Sequence, residues 1–148
     1  MHILYDMFSK EESKKIRQEF WTTFGSVYPR KWLLYNTKIK DVTLKFTFTT
    51  KLAQVSIDIE PSDEIIRAYY YDKFLSLKNI ISTEYLNDII FNEFYELENG
   101  KVISRLYVEL PNVSVHNNNT WEDTMQFLQE KMSKLEEFFL EYKDFIDS

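Results

Sequence analysis

The chain has no cysteine, two glycines, three prolines and two histidines among its 148 residues. The lack of cysteine excludes disulfides, thiolate nucleophiles and zinc–thiolate sites. A phosphate-binding loop needs several glycines so that the backbone can approach the ligand closely. Gly25 and Gly100 are too few and too far apart for such a loop, so the sequence excludes the nucleotide-binding proteins that depend on one.

Long apolar runs are also missing from the sequence. No stretch approaches the roughly 20 apolar residues that cross a bilayer. The first ten residues contain no apolar core of signal-peptide length. We therefore expect a soluble protein of the cytoplasm with no membrane partner.

Aromatic residues are abundant: 10 Tyr, 12 Phe and 3 Trp make up 17% of the chain. Together with a hydrophobic share of 44%, this composition predicts a packed core and argues against disorder. A length of 148 residues is that of one ordinary domain. We expect residues 1–148 to form a single domain.

Charge is divided unevenly along the chain. Residues 1–51 contain 10 Lys and Arg against 5 Asp and Glu, a balance of +5, whereas residues 52–148 contain 8 against 19, a balance of −11. The basic first third can face nucleic acid or an acidic protein, or it can face the acidic remainder of the same chain or of another copy. The net charge of −6 weakens nonspecific attraction to nucleic acid and so favours self-complementation.

The end of the chain carries the clearest helix pattern. Apolar residues recur there at alternating steps of four and three, as along one face of a helix. This stripe consists of Trp121, Met125, Leu128, Met132, Leu135, Phe139, Tyr142 and Ile146. Thr120 is placed to cap the helix, with Asp123 completing a variant of the capping box. A stripe of this size needs a large apolar cover, which we expect to be a β-sheet.

Two shorter helices and a set of strands precede this helix. Ser9 and Glu12 form a capping box that opens a helix to about residue 24. Ser62 is placed to cap a second helix. The apolar stripe of that second helix is Ile66, Tyr70, Phe74, Leu77 and Ile81. Alternating apolar residues predict strands at 42–48, 55–59, 89–97 and 102–110, and residues 32–36 are read as a further short strand.

These elements follow in the order α-β-β-β-α-β-β-α, which is typical of an α+β domain. We expect an antiparallel or mixed sheet of four to five strands, with long helices packed mainly on one face. Asn99 and Gly100 predict a tight hairpin between the last two strands. In the first hairpin, Phe46 must lie opposite Val55 or Ile57 if the apolar residues share one face, and the Ile57 register also pairs Lys45 with Asp58.

The pattern as a whole resembles a bacterial family of domains of unknown function, DUF4268. The matching stretches are residues 19–21, 32–36, 55–60, 71–74 and 121–139. Members of the family occur alone or C-terminal to restriction-endonuclease-like domains, so the resemblance implies a module whose relatives accompany nucleases. Its motifs are mostly aromatic and apolar, and they indicate a fold more than a reaction. The resemblance implies no catalytic residue.

A metal-dependent nuclease is the sharpest enzymatic hypothesis. Asp58, Glu60 and Lys45 project from one face of adjacent predicted strands, and nuclease sites hold Mg²⁺ on acidic residues with a lysine near the attacking water. The usual acid–X–Lys step on a single strand is absent, and a solvated strand face explains the same residues. His2 and His116 have no partner at a metal-ligand spacing. The sequence predicts no catalytic residue, no metal site and no cofactor.

Basic residues alternate with aromatic ones between residues 28 and 40. Such a mixture can hold phosphate and stack bases, which makes Arg30, Lys31, Trp32 and Lys38 candidates for a nucleic-acid interface. The other interpretation is that the aromatic side chains enter the core while the charges remain in water.

A second row on the last helix, Phe127, Phe138 and Phe145, makes its apolar surface wider than a sheet alone needs. A repeat of three and four residues is also the coiled-coil pattern, and twofold dimers are the commonest soluble oligomers. The sequence therefore predicts a non-catalytic interaction or assembly module that forms a homodimer through these phenylalanines. The alternative is a nucleic-acid-associated or metal-dependent nuclease-like protein of bacterial host defence.

Overall fold

The computed structural model describes residues 8–148, which contain four α-helices and four strands. Their order is α-β-β-α-α-β-β-α, and it confirms the predicted α+β class. The elements are α1 Lys10–Val27, β1 Val42–Phe48, β2 Leu52–Ile59, α2 Glu64–Ser76, α3 Lys78–Glu84, β3 Ile90–Glu96, β4 Val102–Pro111 and α4 Trp121–Ile146, with a 3₁₀ turn at Asn118–Thr120.

The strands form one antiparallel sheet in the order β1-β2-β4-β3. β1 and β2 make one hairpin, β3 and β4 make the other, and the two hairpins join through β2 and β4. In the first hairpin Phe46 lies opposite Val55, which is one of the two registers that the alternation allowed. The register with Ile57 is wrong, and Lys45 consequently lies opposite Ser56 instead of Asp58.

The second hairpin turns at Asn99 and Gly100, as the sequence predicted. Gly100 has a φ of 86°, in the left-handed region that glycine adopts without strain. A β-bulge in β3 shifts the register between its two ends. Because of this shift, Phe91 lies on the helix-covered face and Tyr95 on the opposite face, whereas uninterrupted alternation would place two residues four apart on the same face.

The long helices pack on one face of the sheet, as expected. α1 places the ring of Phe20 against that of Phe48, with centroids 4.6 Å apart, and α2 places Tyr71 against Phe91 at 6.3 Å. α4 crosses β2 and carries the predicted stripe into the core. Its fully buried members are Leu128, Met132, Leu135, Phe139 and Ile146. Among residues 8–148, none of the helices has the length and apolar character to span a bilayer.

Residues 32–36 do not form the short strand that the sequence suggested. Leu34 has a left-handed backbone with a φ of 47°, and Lys38 and Asp41 follow with φ values of 66° and 61°. These conformations interrupt an extended chain. The backbone N–H of Leu44 donates to the carbonyl of Leu34 at 2.9 Å, so the segment lies irregularly along the outer edge of β1.

The helix that follows β2 begins and ends differently from the prediction. Asp63, not Ser62, caps α2, because its carboxylate accepts hydrogen bonds from the backbone N–H groups of Ile65 at 2.9 Å and Ile66 at 3.2 Å. The helix ends at Ser76, and the separate helix α3 continues the chain.

The buried face of α2 is also different. Tyr71 and Phe74 are buried, whereas Ile66 of the predicted stripe is 48% exposed and Tyr70 is half-buried. The helix is therefore rotated relative to the prediction, and it leaves several apolar side chains on the surface.

The two predicted capping boxes have opposite outcomes. At the start of α1, the hydroxyl of Ser9 accepts from the N–H of Glu12 at 3.1 Å and the Glu12 carboxylate accepts from the N–H of Ser9 at 3.4 Å, which confirms that box. At the start of α4, Thr120 occupies the N-cap position as predicted, but the predicted capping box is not formed. The hydroxyl of Thr120 donates to the carbonyl of Ser114 at 2.9 Å and makes no cap hydrogen bond.

Candidate functional site

The carboxylates of the hypothetical metal site are engaged by other residues. Asp58 is buried and accepts two hydrogen bonds from Arg105 of β4, both 2.8 Å long. Glu60 accepts from the hydroxyl of Thr43 at 3.1 Å. Lys45 contributes to neither contact. Within residues 8–148, no group of three or more His, Cys, Asp or Glu residues could hold a metal ion.

Arg105 is the centre of a polar network on the face of the sheet opposite the helices. Its Nη1 donates to Gln54 Oε1 at 2.9 Å, and Gln54 Nε2 donates to Glu109 at 2.8 Å and to the Tyr95 hydroxyl at 3.2 Å. The guanidinium carbon lies 4.3 Å from the centre of the Tyr95 ring. Burial by itself lowers the pKa of Arg105, but the hydrogen bonds and charge of Asp58 outweigh it and raise that pKa above its usual value.

A cavity of about 500 Å³ opens over this network. It has the size of a small-molecule site, for which volumes of about 300–1,000 Å³ are usual. The residues that line it and carry charge, hydroxyl or amide groups include Lys45, Thr47, Lys51, Gln54, Tyr95, Glu96, Glu98 and Arg105. On the same face, Thr47 Oγ1 and Ser56 Oγ are buried without a hydrogen-bond partner in the described part of the chain.

One of the three phenylalanines predicted at an interface lies on the surface. Phe138 is fully buried, and its ring centroid lies 6.5 Å from that of Phe74 and 5.5 Å from that of Tyr85. Because α2 and the end of α3 cover it, the predicted interface role of Phe138 is wrong. Phe127 is half-buried against the core, whereas Phe145 is 45% exposed.

Phe145 lies beside exposed apolar side chains of α2. Lys73 Nζ is 4.6 Å from the ring centre of Tyr69 and 5.8 Å from that of Phe145, so the three side chains adjoin. Ile65 and Ile66 precede Tyr69 by four and three residues, which makes them its neighbours on the helix surface. We call Ile65, Ile66, Tyr69 and Phe145 the apolar surface.

Two of the four residues predicted to contact nucleic acid have partners inside the protein. Arg30 is hydrogen-bonded and ion-paired to the buried Glu136 of α4, and its guanidinium lies 3.9 Å over the ring of Trp32. Trp32 packs against the core in turn. Both residues therefore fasten the segment after α1 to α4. Lys31 and Lys38 are exposed.

A different basic and aromatic surface runs along α1 and β1. Lys14, Arg17 and Trp21 line one surface pocket, and Trp21, Tyr35 and Lys45 line a neighbouring pocket. We call these five residues the basic surface. No carboxylate of the described residues lines either pocket. The spacing of the first three along α1 is helical, but that pattern alone did not reveal Tyr35, from the segment beside β1, or Lys45, from β1 itself.

His116 fastens α1 to the segment between β4 and α4. Its Nε2 lies 2.6 Å from the Ser13 hydroxyl oxygen, which also accepts from Arg17 Nη1 at 2.7 Å. Burial, and to a lesser extent the charge of Arg17, lowers the pKa of His116 below its usual 6.5. The other histidine considered in the sequence, His2, lies outside the described residues.

Comparison with known proteins identifies a family and no individual relative. Residues 16–143 match the family model described as Domain of unknown function (DUF4268). The matched range runs from within α1 to within α4, and it includes the entire sheet and the cavity. No curated protein and no solved structure matches the chain.

Proposed function

The chain belongs to the DUF4268 family, whose description assigns no activity, and from its surfaces we propose that it is a non-catalytic assembly module that forms a homodimer. The observation that carries this proposal is the apolar surface, where four large apolar side chains of α2 and α4 adjoin and are 45–82% exposed. In this proposal the module acts in the cytoplasm of a bacterium.

The size of the apolar surface suits a dimer of moderate affinity. Full burial of one such side chain is worth about 1.5–3 kcal/mol. A twofold contact would bury eight of them from a half-exposed state, which gives about 6–12 kcal/mol. Association itself costs about 4–15 kcal/mol. We therefore expect a dimer that dissociates on dilution.

Lys73 is held within the chain beside the apolar surface. Its Nζ lies near the rings of Tyr69 and Phe145 and donates to Ser148 Oγ at 3.0 Å and to the carbonyls of Phe145 and Ile146 at 3.2 and 3.3 Å. Because the end of α4 satisfies this cation, the proposed twofold contact rests on the exposed apolar side chains and not on charge.

The test is the solution mass by light scattering over a dilution series, at low and at high salt, for the wild type and two variants. We expect a wild-type dimer that ignores salt and a Phe145→Ser variant that is monomeric. Leu140→Ser is the matched control, because Leu140 is 59% exposed and five residues away on α4, on a different side of the helix.

Three results would contradict the assembly proposal or its placement on the apolar surface. A wild-type monomer at every concentration leaves no homodimer to explain. Equal loss of the dimer in the Leu140→Ser and Phe145→Ser variants places the contact elsewhere. A dimer that salt dissociates points to the charge division between residues 1–51 and 52–148 instead of the apolar surface.

The basic surface supports a second candidate function, the binding of single-stranded nucleic acid. Three cations and two aromatic rings adjoin there, and Tyr35 is 83% exposed. Cations hold phosphates, and exposed rings stack on unpaired bases. Such an exposed ring is uncommon in a chain whose other aromatic residues are mostly packed against the core.

Nucleic-acid binding is testable by fluorescence anisotropy with a labelled single strand at low salt. Stacking is worth about 1–3 kcal/mol per base, so Tyr35→Ala should weaken binding about 5- to 150-fold. Arg17→Ala should weaken it and reduce its dependence on salt. Lys134→Ala, an exposed lysine on α4, is the control. Absence of binding by the wild type at the lowest salt removes this candidate.

A further inference from the structure

The cavity on the face opposite the helices is lined by charges of both signs that do not pair with each other. Lys45 and Lys51 belong to β1 and the turn after it, whereas Glu96 and Glu98 belong to the end of β3 and the following hairpin turn. No ion pair within 4.0 Å joins the lysines to the glutamates among residues 8–148. The cavity therefore has a positive side and a negative side separated by open space.

The buried charges of the floor between these two sides cancel, and the remaining carboxylate of the network, Glu109, is exposed and does not line the cavity. Arg105 is neutralised by Asp58 through two hydrogen bonds. The four lining charges of the walls also cancel. A ligand with a net positive or negative charge would be attracted by one wall and repelled by the other, whereas a ligand with one charge at each end would be attracted by both.

One hydroxyl among the lining residues makes no hydrogen bond. Thr47 lines the cavity, and its buried Oγ1 has no partner in the described residues. A buried hydroxyl without a partner costs about 1–3 kcal/mol, and such groups are rare unless water or a ligand satisfies them.

We propose that this cavity binds a small zwitterion of the amino-acid type. Its carboxylate lies toward Lys45 and Lys51, its ammonium lies toward Glu96 and Glu98, and the Thr47 side chain rotates so that its hydroxyl, which is covered in this structure, donates to the carboxylate. The site uses no residue of the apolar surface, so its binding is independent of the proposed dimer.

The experiment is a titration of the full-length, ¹⁵N-labelled protein followed by amide chemical shifts. The probes are glycine, β-alanine, 4-aminobutyrate and 6-aminohexanoate, which carry the same two charges at increasing separation. Butyrate and butylamine carry one charge each. We expect at least one zwitterion to shift the amides of Thr47, Gln54 and Arg105 saturably, and to bind about tenfold more tightly than either single-charge probe.

Variants at the two walls test the orientation. Lys51→Ala and Glu98→Gln change exposed side chains, so the fold is retained, and each should weaken binding about threefold or more. Lys101→Ala is the control, because Lys101 is exposed in the same hairpin but does not line the cavity. The proposal is overturned if no zwitterion gives saturable shifts, if butyrate or butylamine binds equally well, or if the wall variants bind as the wild type does.

Discussion

At the scale of single residues, the partner of Asp58 is the main difference between sequence and structure. The sequence pointed to Lys45 across the first hairpin, or to a metal ion, because those groups were near in the chain. The actual partner, Arg105, is 47 residues away on β4. Hairpin signals identify which strands are consecutive, but they do not show that β4 is the strand that lies beside β2. The ion pair between Asp58 and Arg105 therefore could not be predicted from the local sequence pattern.

Removal of Asp58 should be costly because it leaves a buried arginine without its counter-charge. We expect Asp58→Ala to lower the free energy of unfolding by about 3–5 kcal/mol. Ser56→Ala, two residues earlier on the same strand face, should be neutral or stabilising because it removes a buried hydroxyl without a partner. Urea denaturation of both variants checks this contrast, and comparable losses in the two would contradict it.

His116 should make stability depend on pH near neutrality. Its pKa is lowered in the folded state, so the unfolded chain binds the proton more readily. The contribution of His116 to the free energy of unfolding is fully present above its pKa in the unfolded chain, about 6.5. This contribution is lost as the pH falls from there through the lowered pKa of the folded state. We expect the free energy of unfolding to decrease from pH 7.5 to about pH 5 in a His2→Gln background, where His116 is the single imidazole.

The comparison for this prediction is a His2→Gln, His116→Gln double variant measured by urea denaturation over the same pH range. Its stability should change less with pH in that range, because glutamine does not titrate. Identical slopes in the single and double variants would show that His116 makes no contribution.

At the scale of elements, α4 and α2 show when the periodicity of apolar residues is sufficient to predict the buried face of a helix. In α4 polar residues separate most of the apolar ones, and the structure confirms the predicted stripe, although Phe138, assigned to a second row, is buried beside it. In α2 the apolar residues are nearly continuous, with Ile65, Ile66, Tyr69, Tyr70 and Tyr71 in one short run. Several faces fit such a run equally well, and packing against β3 and α4 decides among them. The apolar surface was hidden from the sequence by this ambiguity.

The corrected N-cap of α2 allows a direct comparison of two adjacent residues. Asp63→Ala removes the acceptor of two backbone N–H groups and should lower the free energy of unfolding by about 0.5–2 kcal/mol. Ser62→Ala, at the position that the sequence suggested, should change it by less than about 0.5 kcal/mol. Thermal or urea unfolding at a fixed protein concentration checks both values. A larger effect at Ser62 would restore the original assignment of the cap.

At the scale of the whole molecule, one core connects parts that the sequence presents separately. The basic first third becomes α1 and the edge strand β1, and the acidic remainder supplies the rest of the sheet with α2, α3 and α4. The uneven distribution of charge was visible in the sequence, because it follows from counting the charged residues in each part of the chain. The cavity was not, because its two walls come from different hairpins and meet only after β2 and β4 have paired.

The single core predicts that distant parts of the chain unfold together. All three tryptophans belong to one aromatic cluster: the ring centroids of Trp21 and Trp121 lie 4.9 Å and 5.3 Å from that of Phe20, and Trp32 lies 5.4 Å from Phe46. Tryptophan fluorescence therefore reports on this end of the molecule, whereas far-ultraviolet circular dichroism reports on all of the helices and strands.

A core substitution far from the tryptophans tests this cooperativity. Phe74 packs on Phe138, which follows Trp121 by 17 residues, or about 25 Å along α4. We expect Phe74→Ala to cost about 3–5 kcal/mol and to lower the urea midpoint equally by fluorescence and by circular dichroism. Leu75→Ala, at the neighbouring exposed position, should leave both midpoints close to the wild-type values. If fluorescence kept its wild-type midpoint while circular dichroism lost signal earlier, α2 and its surroundings would unfold as a separate unit, and the chain would not be a single domain.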